Sequence, residues 1–302
     1  MSAIEKARPI ASLTPDPEHY RMLVLDLDGT ALNQQGTITS DDAYAAAALQ
    51  ERGVVVTIAT GRLYGGTAGH AQTLGVNTQI ACMNGAEMLA AHDGSVTSAN
   101  YLPNEVAVFA REQLQKHDLA TSLFSSWEIH HCASSNPYRH YLETWSTYFK
   151  EYDDVYTSDA WERDERLLAV VSTGPIHQIE ETAAVIGETI DSERYEILAF
   201  PAWPRKAGDE EHGIFMLRDR RENKGRALKR MADAAGIEAN QVVCVGDWLN
   251  DVPMLESEAL SFAMGGTPDW LQKSADYVTQ TQTKAGGVIA ELAERVWGIA
   301  RK

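Results

Sequence analysis

The feature of this chain that most restricts its fold is a set of short, nearly continuous apolar runs separated by helical patterns. The runs are Met22–Leu27, Val54–Ala59, Ile80–Met83 and Gln241–Val245. Uninterrupted apolar stretches of this length are typical of strands that are buried on both faces, as in a parallel sheet. Because strands and helices alternate at both ends of the chain, these terminal segments predict a doubly wound α/β domain.

Two of the predicted helices carry residues that favour a helix start or stop. Ser40 can cap a helix whose body is the alanine-rich Ala43–Leu49, since serine accepts hydrogen bonds from the first free amides. Asn223 can cap a second helix, Lys224–Ala235. Gly236 follows it directly and is the residue type that most often terminates a helix.

The middle of the chain differs from its ends, because many of the aromatic residues are concentrated there. They are Trp127, Tyr138, Tyr141, Trp145, Tyr148, Phe149, Trp161 and Trp203. We expect a separate α+β domain here, with a helix from Pro103–Asn104 and strands at Leu167–Ser172, Tyr195–Phe200 and Gly213–Leu217. The predicted organisation is a discontinuous core, residues 1–88 and 221–302, and an inserted domain, residues 89–220.

Charge and hydropathy argue against several kinds of partner. The 302 residues include 26 Lys+Arg and 43 Asp+Glu, a net charge of −17. Without a basic stripe, such a chain is a poor match for nucleic acid or an anionic membrane surface. No apolar stretch approaches the roughly 18 residues of a spanning helix, and the first residues lack a secretion signal. We therefore expect a cytoplasmic protein. The oligomeric state is open, and a monomer is compatible with the sequence.

The three cysteines, Cys82, Cys132 and Cys244, show no CxxC spacing. An odd number without such spacing predicts neither a disulfide framework nor a structural zinc site. Cys132 follows His130 and His131, three potential metal ligands in a row. Adjacent side chains rarely converge on one ion, so we interpret this triplet as structural.

Polar and acidic residues stand where three of the predicted strands end. Asp26 and Asp28 close the first apolar run, and side chains two apart on an extended chain point the same way. The carboxyl ends of parallel strands border the ligand crevice of an open α/β sheet. The other residues expected to meet there are Thr60, Gly61, Arg62, Lys224, Asp247, Asn250 and Asp251.

Four aspartates at one crevice predict a bound cation. Like charges within a few ångströms cannot all be ionised unless a cation lies between them. A set of oxygen ligands suits Mg²⁺, which retains water and commonly shares its coordination shell with a phosphate. A carboxylate aimed at that phosphate is a nucleophile of the aspartyl-phosphate type. A second carboxyl group can protonate the leaving oxygen and later deprotonate the attacking water.

Five motifs in this order resemble the haloacid dehalogenase superfamily, and specifically its Cof-like, type IIB phosphatase branch. They are DLDGT (26–30), TGR (60–62), NGA (84–86), NKG (223–225) and GDWLND (246–251). The downstream AMGG (263–266), ADYVT (275–279) and GGV (286–288) resemble that branch too. The resemblance implies a Rossmann-like core with an inserted, mobile cap of the C2B type. It further implies a Mg²⁺-dependent phosphomonoester hydrolase for small phosphorylated metabolites, with sugar phosphates foremost.

The resemblance also implies a role for each matched residue. Asp26 is the nucleophile and Asp28 the general acid and base. Thr60 and Lys224 are further catalytic residues that bind the phosphoryl group, and the others that contact phosphate or substrate are Gly61, Arg62, Asn84 and Asn250. Mg²⁺ is held by Asp26, the Asp28 carbonyl and Asp247, with support from Asn250 and Asp251.

Four positions depart from the family's usual pattern without removing a reacting group: Ala31, Trp248, Leu249 and Gly266. Trp248 lies beside the metal loop, where its size would narrow access to the site. Two other functions remain open at this point. One is a phosphomutase of the same fold, and the other is a non-catalytic regulator that binds a phosphorylated metabolite.

In the inserted domain, Trp145, Tyr148 and Phe149 have helical spacing and predict a buried core more than a ligand surface. Four basic residues are candidates for a second anionic group of the substrate, although solvated surface is the default for each. They are Arg139, His140, Arg205 and Lys206. Which loop of this domain sets specificity is not visible in the sequence.

Overall fold

The structure is a computed structural model that describes residues 7–163, 166–201 and 211–301. Contacts between Cα atoms divide the chain into two compact units. The first ends at Gly61 and resumes for Thr67–Ser98 and from Asn223 onward, and the second contains Arg62–Gly66 and Ala99–Glu222. The core and insert boundaries given above, residues 88 and 221, stay a prediction.

The strands and helices alternate as the apolar runs indicate. The strands are β1 (Arg8–Pro9), β2 (Met22–Leu25), β3 (Val55–Ile58), β4 (Gln79–Cys82), β5 (Glu87–Ala90), β6 (Val96–Ala99), β7 (Ala120–Phe124), β8 (Ile129–His131), β9 (Phe149–Glu151), β10 (Ala169–Pro175), β11 (Tyr195–Pro201), β12 (His212–Asp219), β13 (Val242–Gly246), β14 (Leu260–Gly265) and β15 (Tyr277–Gln282). The helices are α1 (Ser40–Glu51), α2 (Ala68–Thr73), α3 (Asn104–Gln115), α4 (Arg139–Leu142), α5 (Ala160–Arg163), α6 (Ile176–Thr189), α7 (Lys224–Ala235), α8 (Val252–Leu255), α9 (Asp269–Gln272) and α10 (Val288–Trp297).

The first unit is built on a six-stranded parallel sheet with the order β1-β15-β14-β13-β2-β3. Every residue of β2 and β13 is buried, as the continuous apolar runs predict. Met22 lies opposite Val242 and Leu25 opposite Val245. The two strands therefore deliver the residues that follow them to the same edge of the sheet, and the predicted parallel α/β core is confirmed.

The two predicted helix starts differ in outcome. Asn223 caps α7, because its side chain accepts a hydrogen bond from the backbone N of Arg226, and Gly236 ends the helix at φ +66°. For α1 the predicted cap is wrong by one residue. Thr39, rather than Ser40, accepts the hydrogen bond from the Asp42 backbone N, because Thr39 keeps extended dihedrals while Ser40 has already entered the helix.

Asp42 joins the first and last helices of the core unit. Its buried carboxylate accepts hydrogen bonds from the backbone N of Gly287 (2.6 Å), Ile289 (2.8 Å) and Ala290 (3.1 Å). These amides open α10, where free N–H groups and the helix dipole both favour an anion. A single side chain of α1 therefore fixes the start of α10.

The run Ile80–Met83 forms a strand, β4, but its predicted parallel pairing is limited to a single bridge. β4 pairs antiparallel with β5 in a separate sheet of order β4-β5-β6. One isolated parallel bridge, Ala59 with Ala81, connects it to the segment after β3. The short turn after β4, with φ of +56° at Asn84 and +95° at Gly85, makes β5 the antiparallel hairpin partner of β4. The parallel bridge forms on the other side, where the segment that contains α2 provides the crossover from β3.

The second unit contains a mixed sheet with the order β11-β12-β10-β7-β8-β9. Its neighbours are antiparallel except for β8 and β9. Ala107 and Leu114 of α3 pack with Ile179 and Ile186 of α6 and with Phe215 in one buried cluster. The predicted α+β insert, with its opening helix and its three strands, is confirmed.

The aromatic residues at helical spacing in this unit do not form a helix, so that prediction is wrong. α4 ends at Leu142, Phe149 begins β9, and Tyr148 is 54% exposed. Ser146 accounts for the break, because its Oγ accepts from the Tyr148 backbone N and donates to the Trp127 carbonyl. A side chain that bonds the backbone in this way competes with helical hydrogen bonds.

The basic candidates of this unit are only partly described. The Arg139 guanidinium lies 3.8 Å from the Phe149 ring centroid and its Nε lies 3.2 Å from Glu143 Oε1. The Arg139 side chain therefore contacts neighbouring residues at the protein surface. His140 is exposed beside it on α4. Arg205 and Lys206, like Trp203, lie outside the described residues.

Two further expectations can be compared with the structure. Cys82, Cys132 and Cys244 are buried and free of disulfides, as their spacing predicts. In the described part of the chain, no helix combines the length and the apolarity needed to cross a membrane.

Candidate active site

Asp26, Lys224 and Asp251 form a buried ion-pair network at the carboxyl edge of the core sheet. Lys224 Nζ donates to Asp26 Oδ1 and to Asp251 Oδ1, each at 2.6 Å. Asp26 directly follows β2, and Lys224 is the first residue of α7, a position fixed by the Asn223 cap. The Lys224 side chain is fully buried, so its charge is balanced by these carboxylates alone among the described residues.

Asp251 also organises the loop after β13. Its second oxygen, Oδ2, accepts hydrogen bonds from the backbone N of Asp247 (2.9 Å) and of Trp248 (3.0 Å). Both oxygens of Asp251 are therefore occupied by protein donors. Asp251 therefore positions Asp247 and Lys224 relative to each other, so it acts as a supporting residue of the cluster.

The Gly29 backbone lies directly against the Asp247 carboxylate. A Cβ at residue 29 would overlap the Asp247 side chain, and the glycine has φ +84°. The Gly29 carbonyl accepts a hydrogen bond from the Lys284 backbone N at 2.9 Å. The turn after Asp26 is thus held between the loop after β13 on one side and the loop after β15 on the other.

Three carboxylates converge at this point. Asp26, Asp247 and Asp251 each offer an oxygen within 4.8 Å of the others. Burial raises the pKa of Asp26 well above its usual range, and Asp251 and Asp247 raise it further against the lowering effect of Lys224. Burial, followed by the Asp251 charge, raises the pKa of Asp247 to about 7. If all three carboxylates were ionised, the cluster would therefore carry more negative charge than Lys224 alone can balance.

The charge on Lys224 is secured by the same carboxylates. Burial alone would lower its pKa, but Asp251 and Asp26 outweigh burial and raise the pKa of Lys224 above its ordinary value. Lys224 is thus a permanent cation at this edge of the sheet. It orients one oxygen of Asp26 and leaves the other unbound.

The residues at this edge fit a divalent cation with oxygen ligands. Asp26 Oδ2 is buried and has no hydrogen-bond partner among the described residues, which is costly unless something unseen binds it. Asp247 adds a second carboxylate, while both oxygens of Asp251 are already used. Hard oxygen donors with net negative charge are the ligands that Mg²⁺ prefers.

Asp28 keeps the extended dihedrals that the sequence predicts, although it lies within a tight turn. The turn spans Leu27–Ala31, and Asp28 has φ −74° and ψ +118°. Its carboxylate is exposed and is not part of the cluster of three. Its charge nevertheless raises the pKa of Asp247, which requires that the two carboxylates be near each other.

A second group of predicted residues is held together by the backbone. The Asn84 backbone N donates to the Thr60 carbonyl at 2.8 Å, and Asn250 Nδ2 donates to Asn84 Oδ1 at 2.8 Å. A Cβ at Gly61 would lie 3.5 Å from Asn84 Oδ1 and 3.7 Å from Asn250 Nδ2. The structure therefore brings Thr60, Gly61, Asn84 and Asn250 together, and Thr60 is fully buried.

Arg62 belongs to the second unit. Its Nη1 donates to the Gly66 carbonyl at 3.2 Å, within the short segment Arg62–Gly66. Its predicted contact with substrate stays a prediction.

One residue near the acidic cluster, Lys284, escaped the sequence prediction, whereas another, Trp248, was expected there. Lys284, at φ +60°, binds the Gly29 carbonyl through its amide, and its charge lowers the pKa of Asp247. No motif marks it, because its place depends on the loop after β15. Trp248 was singled out, and it is 59% exposed, with its ring 6.2 Å from that of Trp270 in an edge-on pair.

Other potential metal ligands do not converge in the same manner. Within residues 7–163, 166–201 and 211–301, the acidic cluster is the one group of three such side chains. His130 Nδ1 lies 3.0 Å from the Tyr152 hydroxyl, and His131 Nδ1 lies 3.2 Å from the Cys132 carbonyl. The histidine and cysteine triplet is structural, as interpreted from the sequence.

Comparison with known proteins identifies the family. The sequence pattern of the haloacid dehalogenase-like hydrolases matches residues 23–292. This chain belongs to that family. The hydrolase is 25% identical over 268 residues to the pyridoxal phosphate phosphatase of Escherichia coli, which covers 87% of this chain and 94% of that relative.

Solved structures agree with the fold of the hydrolase. A haloacid dehalogenase-like hydrolase from Bacteroides thetaiotaomicron aligns with a TM-score of 0.75 at 23% identity, over 91% of this chain and 99% of its own. A sugar phosphatase of HAD subclass IIB aligns with a TM-score of 0.62 at 19% identity, over 86% of this chain and 93% of its own. The predicted Cof-like, type IIB fold is confirmed, and so is the prediction that the chain is a phosphatase.

Proposed function

We propose that this hydrolase is a Mg²⁺-dependent phosphomonoesterase that acts on a small phosphorylated metabolite, with a sugar phosphate as the first candidate. The observation that carries the proposal is the buried cluster of Asp26, Asp247 and Asp251 around Lys224, in which one oxygen of Asp26 has no protein partner among the described residues. The names of two relatives, a pyridoxal phosphate phosphatase and a sugar phosphatase, support a small phosphate monoester as substrate.

For the metal, we assign three oxygen ligands: a carboxylate oxygen of Asp26, the backbone carbonyl of Asp28 and a carboxylate oxygen of Asp247. Asn250 and Asp251 support this set. When bound, Mg²⁺ would neutralise the excess carboxylate charge and withdraw electron density from the phosphoryl oxygens. The net −17 charge of the chain is screened over about 8 Å at physiological salt, so contact groups decide how the phosphate binds.

For the first chemical step, the Asp26 carboxylate attacks phosphorus and the bond between phosphorus and the leaving oxygen breaks. The carboxyl group of Asp28 donates its proton to that oxygen, so the alcohol leaves neutral. Lys224 holds Asp26 in place by a charge-assisted hydrogen bond of 2.6 Å, which limits the carboxylate to a narrow range of orientations. The product of this step is an aspartyl phosphate at Asp26.

In the second step, water attacks the phosphorus of the aspartyl phosphate and gives a proton to the Asp28 carboxylate. The bond between phosphorus and the Asp26 oxygen then breaks, which regenerates both carboxyl groups and releases inorganic phosphate. Asp28 is exposed, so it can exchange with solvent water between turnovers. Thr60 and Lys224 bind the phosphoryl oxygens in both steps, with Gly61, Arg62, Asn84 and Asn250 as further contacts.

The test is release of phosphate from a generic aryl phosphate, with and without EDTA. We expect turnover that EDTA abolishes and that Asp26→Asn and Asp28→Ala lower by about 10³-fold or more. Asp41→Asn, an exposed aspartate in the first turn of α1, is the matched control and should retain activity. Full activity of Asp26→Asn would show that the nucleophile is misassigned.

A panel of phosphorylated sugars then separates hydrolysis from the other functions considered. Inorganic phosphate and free sugar are expected as products. An isomerised sugar phosphate without free phosphate would establish a phosphomutase, and binding without turnover would establish a regulator. Action in the cytoplasm stays a prediction.

A further inference from the structure

The second unit contains a cavity of about 480 Å³ that the proposed reaction does not use. Six of its lining residues are apolar: Ala99, Leu102, Pro103, Ala107, Trp161 and Leu167. Two arginines, Arg194 and Arg221, line it as well. All of these residues belong to the second unit, so the cavity is not part of the acidic cluster. Its volume lies within the range of small-molecule sites.

The two arginines share one buried carboxylate. Arg221 donates to Asp219 from Nε at 3.0 Å and from Nη2 at 2.7 Å, and the Asp219 side chain is fully buried. Arg194 Nε lies 3.7 Å from Asp219 Oδ2, which is too long for a hydrogen bond. The Asp219 carboxylate is buried, whereas the side chains of Arg194 and Arg221 are 40% and 46% exposed, so a ligand in the cavity meets the guanidinium groups rather than Asp219. The Glu222 charge also acts on Arg221.

Arg194 has an unused donor at this wall. Its Nε is buried and has no hydrogen-bond partner among the described residues, although the side chain as a whole is 40% exposed. A buried N–H without an acceptor costs free energy. Because Nε itself is buried, a ligand oxygen would meet the exposed part of the Arg194 side chain and add a charge-assisted hydrogen bond there.

The start of α3 adds positive potential to the same cavity. Pro103 and Asn104 line it, and no side chain caps this twelve-residue helix at Pro103. Free amides and the helix dipole favour an anion at a helix start. The helix start strengthens an anion site that the two arginines already define.

We propose that this cavity is a binding site for a small organic anion, distinct from the substrate phosphate at the catalytic centre. The anionic group, a carboxylate or a phosphate, binds Arg194 and Arg221. An apolar or aromatic body lies against Trp161, Leu102 and Leu167. The chemistry that recognises the ligand is thus a charged head on a compact apolar body.

Fluorine NMR of small ligands tests the site on the full-length protein. The probes are 4-fluorobenzoate, 4-fluorophenylphosphonate and the neutral 4-fluorobenzyl alcohol, all in EDTA so that the uncompensated carboxylates repel anions from the catalytic centre. We expect saturable line broadening for at least one of the two anions and much weaker broadening for the alcohol. The stronger of the two anions identifies a carboxylate or a phosphate as the preferred head group.

The variants localise the binding. Arg194→Gln should weaken binding about tenfold, the effect of one charge-assisted hydrogen bond, and Arg194→Lys should restore part of it. Arg220→Gln is the matched control, since Arg220 is an exposed neighbour that does not line the cavity. An unchanged thermal midpoint of Arg194→Gln shows that the loss is not unfolding. Equal affinity of the wild type and Arg194→Gln, or no binding of either anion, would overturn the proposal.

Discussion

Gly29 and Asp247 lie so close together that no side chain can be added at residue 29 without displacing the carboxylate. Gly29 also has φ +84°, a conformation that other residues rarely adopt. Its carbonyl is held by the Lys284 amide at 2.9 Å, so the backbone has little freedom to retreat. The position of the Asp247 carboxylate therefore depends on a glycine that contributes no functional group.

The first prediction concerns Gly29→Ala. The added methyl group pushes Asp247 away from Asp26, and a displacement of about 1 Å in an active site can lower turnover about 10²-fold. The free energy of unfolding should also fall by about 2–4 kcal/mol, from backbone strain and overlap together. Phosphate release and urea unfolding measure the two effects.

Gly36→Ala is the control for that substitution. Gly36 has a similar φ of +71° but nothing within 4 Å of its would-be Cβ, so only the strain of about 1 kcal/mol is expected. Equal losses of activity in the two variants would mean that the contact with Asp247 is unimportant.

The second prediction concerns Asp251→Asn. The variant weakens a buried ion pair with Lys224, and breaking such a pair costs about 3–5 kcal/mol. We expect lower stability together with a large loss of turnover, because Lys224 and the Asp247 loop lose their common anchor. Asp233→Asn, in the exposed pair with Lys229, should change stability by less than about 1 kcal/mol. Thermal unfolding of both variants measures the two losses of stability. Equal losses would mean that the buried pair contributes no more than the exposed one.

The third prediction follows from the raised pKa of Asp247, about 7 against an ordinary 3.8. Between these values the folded metal-free protein holds a proton that the unfolded chain has lost, so stability falls as pH rises over this interval. Asp247→Asn removes this dependence. In EDTA the variant should be more stable than the wild type near about pH 8, and the difference should shrink near about pH 5.

Addition of Mg²⁺ should reverse the order of stability of these two proteins at the higher pH. A cation that binds the folded state raises its stability by mass action, and the variant lacks one of the proposed ligands. Stability profiles of the two proteins that run parallel across this pH range would contradict the raised pKa.

The fourth prediction concerns the hydrogen bond between Asn250 and Asn84. Asn84 has φ +56°, so Asn84→Gly removes the side chain without adding strain, and Asn250→Ala removes the partner. A double-mutant cycle on kcat/KM and on unfolding should give a coupling of about 1 kcal/mol. Strict additivity of the two substitutions would mean that the pair does not act as a unit.

Local features were predicted best where a single residue decides the structure. Asn223 and Gly236 limit α7 as expected, because capping depends on the residue and its nearest amides. The run Ile80–Met83 was expected to pair in the parallel sheet, but it has one parallel bridge and pairs along its length with β5, since an apolar strand looks the same in a parallel sheet and in a hairpin. The turn at Asn84 and Gly85 decided that question through its short length.

The acidic cluster was predictable because parallel strands deliver their ends to a common edge, so Asp26 and Asp247 could be expected to meet. The contacts that refine the geometry of this cluster could not be predicted from the sequence. The tight turn at Asp28, the overlap at Gly29 and the Lys284 amide all depend on the path of the backbone, which composition does not encode. The cavity beside Arg194 was likewise invisible, because its arginines are far apart from Ala107 and Trp161 in sequence and no motif joins them.

The pairing of β2 with β13 has a consequence for how the protein is made. On the ribosome, β2 emerges early, but the neighbour that completes its hydrogen bonds is translated only after the whole second unit has been made. Until then the apolar strand has β3 on one side but no neighbour on the other, while the second unit already has every strand of its own sheet. We therefore expect the later unit to acquire stable structure first during synthesis, and the catalytic residues to assemble only as the last third of the chain emerges.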